Sequence, residues 1–498
     1  MSLNTILTFL ATIVVLIYYY LKKNKTYWKK LGIISPKSHI LFGNFKEVIL
    51  RQTTFFHQIE TFYNMYPNEK FIGLYRFNTP VLLIRDLDIV QHICVREFDS
   101  YMNRGIEFGD KLKNNLASSK DDTWRMLRSR FSPLFTSGKL KNMLHLINSC
   151  GDKTLEYLET LVSQSKEHDI LDITKKYSVG SISACAFGLD LDMKNPDEKL
   201  TKMETLAFTN FYTLELIFLC PGLIKKLGIS IAPKEISVYF CNLVNFIKKQ
   251  RDRIMSSRKD FMDLLLEMKN STELKSECVG SNEEIVTITD ELIAAQAMIF
   301  YVAGFDTTAN TLSFLLYEVA KHQDIQEKML KEIKQVLADN DGEISLEILK
   351  QLTYMDQVYD ETLRMYPIAG LQRRVSVPSC KLLDTSITLK RDAIIYVSVR
   401  GIHYNEQYYP DPYKFDPERF SPENKKSRHP CAYIPFGFGP RHCIGMRFAK
   451  VQARVFLIKF LSCYKVELAA DTKEITYDTM KITLTAKDGI PLKITRRN

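Results

Sequence analysis

Phe436-Gly437-Phe438-Gly439-Pro440-Arg441-His442-Cys443-Ile444-Gly445 places a single cysteine in a glycine-punctuated loop just ahead of a helix-like run. Glycines at 437, 439 and 445 permit tight turns and the close approach of a large flat group. Backbone N–H groups from Gly445 onward can donate toward the sulfur, and the start of a helix favours negative charge. Arg441, two positions before the cysteine, offers a fixed cation to a carboxylate. A thiolate, a flat space and a carboxylate partner together suit a haem whose axial ligand is cysteine, the ligation that favours O–O cleavage. The competing reading is a buried, inert thiol, since cysteine often packs as a small hydrophobe.

The loop resembles the haem-binding signature of the cytochrome P-450 family, F-x-x-G-x-R-x-C-x-G, matched at Phe436, Gly439, Arg441, Cys443 and Gly445. The resemblance implies haem b as cofactor, with Cys443 as the iron's axial ligand and Phe436, Gly439 and Arg441 around it. It also implies the family's fold: mainly α (α+β), one large helix-rich domain with small peripheral β-sheets.

The bulk composition agrees with one globular unit. The 498 residues contain no Gly/Ser-rich or Pro-rich linker and no evident repeat, and 45% are apolar against 25% charged. The ten cysteines (Cys94, Cys150, Cys185, Cys220, Cys241, Cys278, Cys380, Cys431, Cys443 and Cys463) are scattered with no C-x-x-C pair. Neither a disulfide framework nor a zinc site is suggested, which fits a reducing compartment. In such a compartment the sequon at Asn270-Ser271-Thr272 is incidental. A net charge of +10 permits an acidic protein partner or an anionic membrane surface. No basic stripe with interleaved aromatics points to nucleic acid.

Residues 1–21 carry no charged side chain, and their apolar run from Ile6 to Leu21 ends in Tyr18, Tyr19 and Tyr20. As a helix they would reach roughly 31 Å, close to the hydrocarbon thickness of about 30 Å. Lys22, Lys23, Lys25, Lys29 and Lys30 follow, and positive flanks stay cytosolic. A cleaved signal peptide would want basic residues before the run and a small-x-small site after it, and neither is present. The reading is an N-terminal transmembrane anchor at 1–21, a basic linker or hinge at 22–44 with Pro36 and Gly43-Asn44, and a catalytic domain at 45–498. The anchor resembles that of microsomal family members, which implies the endoplasmic-reticulum membrane, a single pass and a cytosolic domain. A second apolar stretch, Phe211 to Ile231, is broken by Pro221, Gly222, Lys225 and Lys226. It reads as helix ends on the core or as a short element dipping into membrane lipid.

From Thr289 to His322 no proline interrupts the chain. Thr289 is placed to cap a helix whose first turn holds Asp290 and Glu291. Ile293 to Val302 is apolar all round apart from Gln296, as in a helix buried inside a large protein. Within it sit Ala303, Gly304, Phe305, Asp306, Thr307 and Thr308. Hydroxyls and a carboxylate there need partners. Thr307 can bond a carbonyl one turn back and open the ladder, while Gly304 leaves space beside it, making a notch for a diatomic ligand or water. A satisfied polar patch is the plainer alternative. The segment resembles the family's [A/G]-G-x-[D/E]-T oxygen-activation motif, which implies catalytic roles for Thr307 and Asp306 in oxygen activation and proton relay. Thr308 is read as structural.

Glu361 and Arg364 share a helix face at i,i+3, a spacing that by itself fits a solvated pair, although the neighbourhood is apolar and Pro367 follows. Arg419, in F-D-P-E-R-F, is a third partner by resemblance, in a triad that supports the cysteine loop. Trp124 and Arg128 lie at i,i+4 and fit a core tryptophan with an arginine stretched beside it. The family's W-x-x-x-R element implies instead that both point at a haem propionate. Arg374 matches another propionate position, with the adjacent Arg373 leaving the register open; Arg104 is a weaker candidate.

The order of motifs covers essentially the whole chain and is similar to that of the xenobiotic-metabolising, insect-like branch of the family, notably at Ser132 to Met143. The implied reaction is NADPH- and O2-dependent insertion of one oxygen atom into a lipophilic small molecule. No G-x-G-x-x-G fingerprint occurs, so electrons must come from outside. The implied donors are NADPH-cytochrome P-450 reductase and, as a second candidate, cytochrome b5. Arg125, Arg130, Arg447 and Lys450 are candidates for the reductase's acidic face. Substrate contacts are expected along Tyr101–Lys120, Phe208–Phe218, Phe300–Phe305, Ile368–Leu371 and around Leu484. A haem-thiolate isomerase or dehydratase acting on peroxides, and a non-catalytic haem carrier or sensor, are the alternatives.

Overall fold

The computed structural model describes residues 3–106, 112, 114–195, 198–208, 215–216, 233–253, 260–271, 288–383 and 385–497. Apart from Glu215 and Leu216, the apolar stretch Phe211 to Ile231 lies outside the described residues, as do Cys220, Cys278 and Thr272 of the sequon. The other eight cysteines are free thiols.

Seven helices frame the site: α1 (Leu3–Asn24), α2 (Asp121–Phe131), α3 (Ser137–Gln164), α4 (Ile170–Phe187), α5 (Asp290–Lys321), α6 (Thr353–Met365) and α7 (Met446–Cys463). Among the described residues, nine short strands form three sheets. The largest orders β1 (Phe71–Arg76), β2 (Thr79–Ile84), β7 (Ile394–Ser398) and β4 (Leu371–Val375). β2 and β7 run parallel; its other pairs are antiparallel. A second sheet orders β3 (Glu167–Asp169), β9 (Pro491–Arg496) and β8 (Tyr464–Leu468), and β5 (Cys380–Lys381) pairs with β6 (Thr388–Leu389). The helix-rich architecture with small sheets is the one the sequence implies.

The core has two parts. A large helical cluster includes Leu127, Ile147, Tyr177, Phe305, Leu315 and Phe456, and a smaller one built on the largest sheet includes Ile72, Leu83, Tyr396 and Ile434. α5 forms as its sequence dictates: the Thr289 hydroxyl accepts from the Leu292 N–H at 3.1 Å, with Asp290 and Glu291 in the first turn. Its apolar surface packs against α4, and the helix is buried along most of its length.

α1 is long and apolar enough to cross a membrane, and none of its apolar window is buried. Part of residues 22–44, expected as a basic linker or hinge, contacts the sheet. Trp28 is 2% exposed, and its indole N–H donates to the Leu74 carbonyl at 2.8 Å. A Cβ at Gly73 would run into the Trp28 ring. The Tyr75 hydroxyl donates to the Lys25 carbonyl at 2.9 Å, and the Lys25 ammonium donates to the Phe77 carbonyl.

Candidate active site: a cysteine loop and four converging arginines

The cysteine loop lies where the two core clusters meet. Gly437 and Gly439 adopt φ of 79° and 77°, a region open to glycine. At Gly439 the requirement is doubled, because a Cβ would overlap the Cys94 carbonyl. The Cys443 N–H donates to the Phe436 carbonyl at 2.8 Å and closes the loop. Cys443 is enclosed by protein yet keeps accessible surface, so its thiol faces an internal space. Burial pushes that thiol up; the Gly445 N–H bonded to the sulfur, and Arg104 and Arg128 nearby, pull it back.

Arg104, Arg128, Arg374 and Arg441 gather beside this space. β4 runs antiparallel to β7 with Arg374 opposite Ile395 and Arg373 opposite Tyr396, so the two side chains leave opposite faces of the strand. Arg374 joins Arg104 and Arg441, while Arg373 interacts with Tyr396 and donates to the Arg104 carbonyl. Burial first, then repulsion by the other three arginines, pushes Arg441 down to about 8. Arg104 is pushed down to about 10, also by burial first. Arg441 donates to the carbonyls of Met102 and Ser119, each at 2.5 Å, and its guanidinium lies 4.7 Å from the Trp124 ring centroid. Arg104 donates to the Arg441 carbonyl at 3.1 Å. The Nε atoms of Arg374 and Arg441 are buried with no acceptor. None of the four arginines forms an ion pair with a carboxylate among the described residues. Buried cations that repel one another need an anion. A flat group with two carboxylates, placed beside a thiol on a glycine loop, satisfies them, and haem is such a group.

The Glu361–Arg364 pair is buried. Arg364 donates to both Glu361 oxygens, at 2.7 and 2.9 Å, and both side chains are 0% exposed. Arg364 also donates to the carbonyls of His403 and Pro412, and the Asp416 N–H donates to Glu361. Arg419 completes the triad at 3.5 Å from Glu361. The solvated pair that i,i+3 spacing alone allows is not what forms.

On α5 the Thr307 hydroxyl donates to the Ala303 carbonyl at 2.7 Å. Ala303 is exposed and Thr307 half-buried in a helix whose other faces are covered, so these two residues border an internal opening. The helix runs on without a break, and Gly304 does not provide the opening: a Cβ there would meet Ile182 of α4, so this glycine serves close helix packing. Asp306 is buried and accepts from the Thr483 hydroxyl at 2.7 Å, while Thr308 donates to Gln452 of α7. Phe135 abuts the Gly445 position and packs edge-on against Phe300 of α5, linking the cysteine loop to the oxygen-motif helix.

A family model described as Cytochrome P450 matches residues 34–493. The chain belongs to the cytochrome P450 family. Among its relatives, Cytochrome P450 6B5 of Papilio glaucus is 42% identical over 94% of this chain and 99% of its own. Cytochrome P450 6B1 of Papilio polyxenes is 41% identical over 97% of each chain. Cytochrome P450 6k1 of Blattella germanica is 33% identical over 98% of this chain and 96% of its own. The chain is therefore a monooxygenase, and membership implies a haem held by a cysteine thiolate.

One feature of this P450 escapes a reading of local motifs. Gln296, the lone polar side chain in an apolar run, is fully buried. Its amide donates to the Asn114 carbonyl at 2.7 Å and its carbonyl accepts from the Leu116 N–H at 3.0 Å. It thereby holds the segment whose Ala117 and Ser119 carbonyls receive Arg441. We expect Gln296→Leu to strand the buried Leu116 N–H, remove a partner of the Asn114 carbonyl and lower stability by about 1–3 kcal/mol, read from urea unfolding; an unchanged midpoint would refute the clamp. Among the basic surface candidates, Arg125 pairs with Asp99 at 2.5 Å and Lys450 with Asp360 at 2.9 Å. The Arg125 pair lies at the surface and the Lys450 pair is largely buried, while Arg130 and Arg447 are exposed.

Proposed function

We propose that the chain is an NADPH- and O2-dependent haem-thiolate monooxygenase that inserts one oxygen atom into lipophilic small molecules. The observation that carries the proposal is the enclosed Cys443 thiol beside arginines that form no ion pair with a carboxylate among the described residues. In this reading Cys443 ligates the iron of haem b, and Phe436 and Gly439 shape the loop beneath it. Arg441, Arg374, Arg128 and Trp124 hold the propionates, and Arg104 adds a fourth cation. Bound there, the cofactor supplies oxygen activation, which thiolate ligation favours.

The protein's own contribution is positional and protonic. Burial disfavours charge on the sulfur, and the Gly445 N–H with Arg104 and Arg128 works against that penalty. Thr307 keeps a hydroxyl at the opening beside Ala303, and Asp306 next to it supplies a carboxylate for proton relay. Ile368, Leu371 and Leu484 are among the apolar side chains that would meet a lipophilic substrate. Expected substrate contacts at residues 107–111, at 113 and, but for Glu215 and Leu216, at 209–218 lie outside the described residues. Electrons come from NADPH-cytochrome P-450 reductase, with cytochrome b5 as a second donor. Residues 1–21 anchor the catalytic domain, 45–498, to the endoplasmic-reticulum membrane.

The test is the purified chain reconstituted with reductase, NADPH and a panel of lipophilic substrates. NADPH- and oxygen-dependent product supports the reading; turnover of peroxides without either, or none at all, overturns it. We further expect Thr307→Ala to keep consuming NADPH while product per NADPH falls by about tenfold or more, positioned proton-transfer groups being worth about 10²–10⁴. Full coupling in that variant would remove Thr307 from the scheme.

A further inference from the structure

We propose that Thr483 is a positioning residue: its hydroxyl fixes the Asp306 carboxylate and ties the turn around Leu484 to the oxygen-motif helix. The inference rests on the monooxygenase reading and extends it to a residue no motif covers. Asp306 and Thr483 are 177 residues apart in sequence, yet Thr483 Oγ1 donates to Asp306 Oδ2 at 2.7 Å. Asp306 is 7% exposed, on a helix that is buried along most of its length. A buried carboxylate needs donors to stay ordered and charged.

The next residue makes a second tie. The Leu484 N–H donates to the Ile368 carbonyl at 3.0 Å, in the segment after α6 that the sequence also places at the substrate. Thr485 Oγ1 lies 3.4 Å from Thr483 Oγ1, and the Asp478 N–H donates to the Thr485 carbonyl at 2.9 Å, so the turn is internally braced. Two consecutive residues therefore join two apolar segments to the acid beside Thr307. A substrate that presses on the turn presses on the proton-relay group through the Thr483 hydroxyl. Coupling of NADPH use to product then depends on substrate fit through Thr483.

The experiment compares Thr483→Val, which removes the hydroxyl at constant shape, with Thr483→Ser, which restores it, in the full-length haem-loaded chain. Each is made with Asp306 intact and in Asp306→Ala, which leaves the hydroxyl no side-chain acceptor at 306. Hydrogen–deuterium exchange of residues 476–488 is the readout independent of turnover. Thr483→Val is expected to raise exchange there about tenfold or more, the scale of a lost hydrogen bond to a charged group, and Thr483→Ser to return it. In Asp306→Ala the Val substitution is expected to add little. With reductase present, product per NADPH is expected to fall in Val and recover in Ser. Unchanged exchange and coupling in Thr483→Val, or an equal effect in Asp306→Ala, would overturn the assignment. Absence of NADPH-dependent product in the unmodified protein would overturn the monooxygenase reading instead, while the exchange comparison would still report the tie.

Discussion

Cys443→Ala is expected to abolish the red-shifted carbon monoxide band of reduced, sulfur-ligated haem and, with it, NADPH-dependent product. The loop itself should survive, because the contact that closes it is made by the backbone N–H of residue 443 to the Phe436 carbonyl. Gly437 and Gly439 keep their positive φ whatever the side chain at 443. The change is therefore a loss of ligand and not of fold. Its effect on turnover should exceed the ~10–100-fold lost when only an outer partner of a metal ligand is removed. The arginines still present an anion site, so some haem should bind, but without the thiolate spectrum. A variant retaining that band would show that another group holds the iron, and the account of the loop would fail.

The second large effect is expected at Glu361. Glu361→Gln leaves the Arg364 guanidinium buried at 0% exposure without its counter-charge. Removing one member of a buried pair costs about 3–5 kcal/mol. Against a typical total stability of about 5–15 kcal/mol this is a large fraction. Replacing both, as Glu361→Leu with Arg364→Leu, should cost less than the sum of the single changes, because no lone charge remains. Full recovery is not expected, since the carbonyls of His403 and Pro412 lose their donor. Urea unfolding and haem retention are the measurements. A pair of single variants that each unfold at the parent midpoint would show the triad to be ornamental to stability.

The parts of the site legible in the sequence are those whose geometry is local. The cysteine loop is closed by a bond between residues seven apart, and Thr289 caps a helix three residues away, so both can be read from spacing. The anchor-length helix is likewise written in consecutive residues. What spacing left open was decided by distant partners. Arg373 and Arg374 are neighbours that leave opposite faces of β4, and the pairing of β4 with β7 places the Arg374 side chain among the other three arginines. Arg104, ranked low from its local sequence, sits within that cluster because its donor reaches the Arg441 carbonyl. The burial of Glu361 and Arg364 depends on the loop from His403 to Asp416. Gly304 was expected to leave room and is filled by Ile182, a residue on another helix. Gln296 and Thr483 find partners about 180 residues away, beyond the reach of periodicity.

The Trp28 indole wedged on Gly73 has a mechanical corollary. α1 ends at Asn24, and the Tyr75 hydroxyl already grips the Lys25 carbonyl. No slack lies between the last turn of that helix and the body, so the two share a heading as a handle does with its blade. Lengthening the chain at residue 25 would introduce a swivel the native molecule lacks, while enlarging Gly73 would re-aim the whole catalytic mass without touching a residue that handles oxygen.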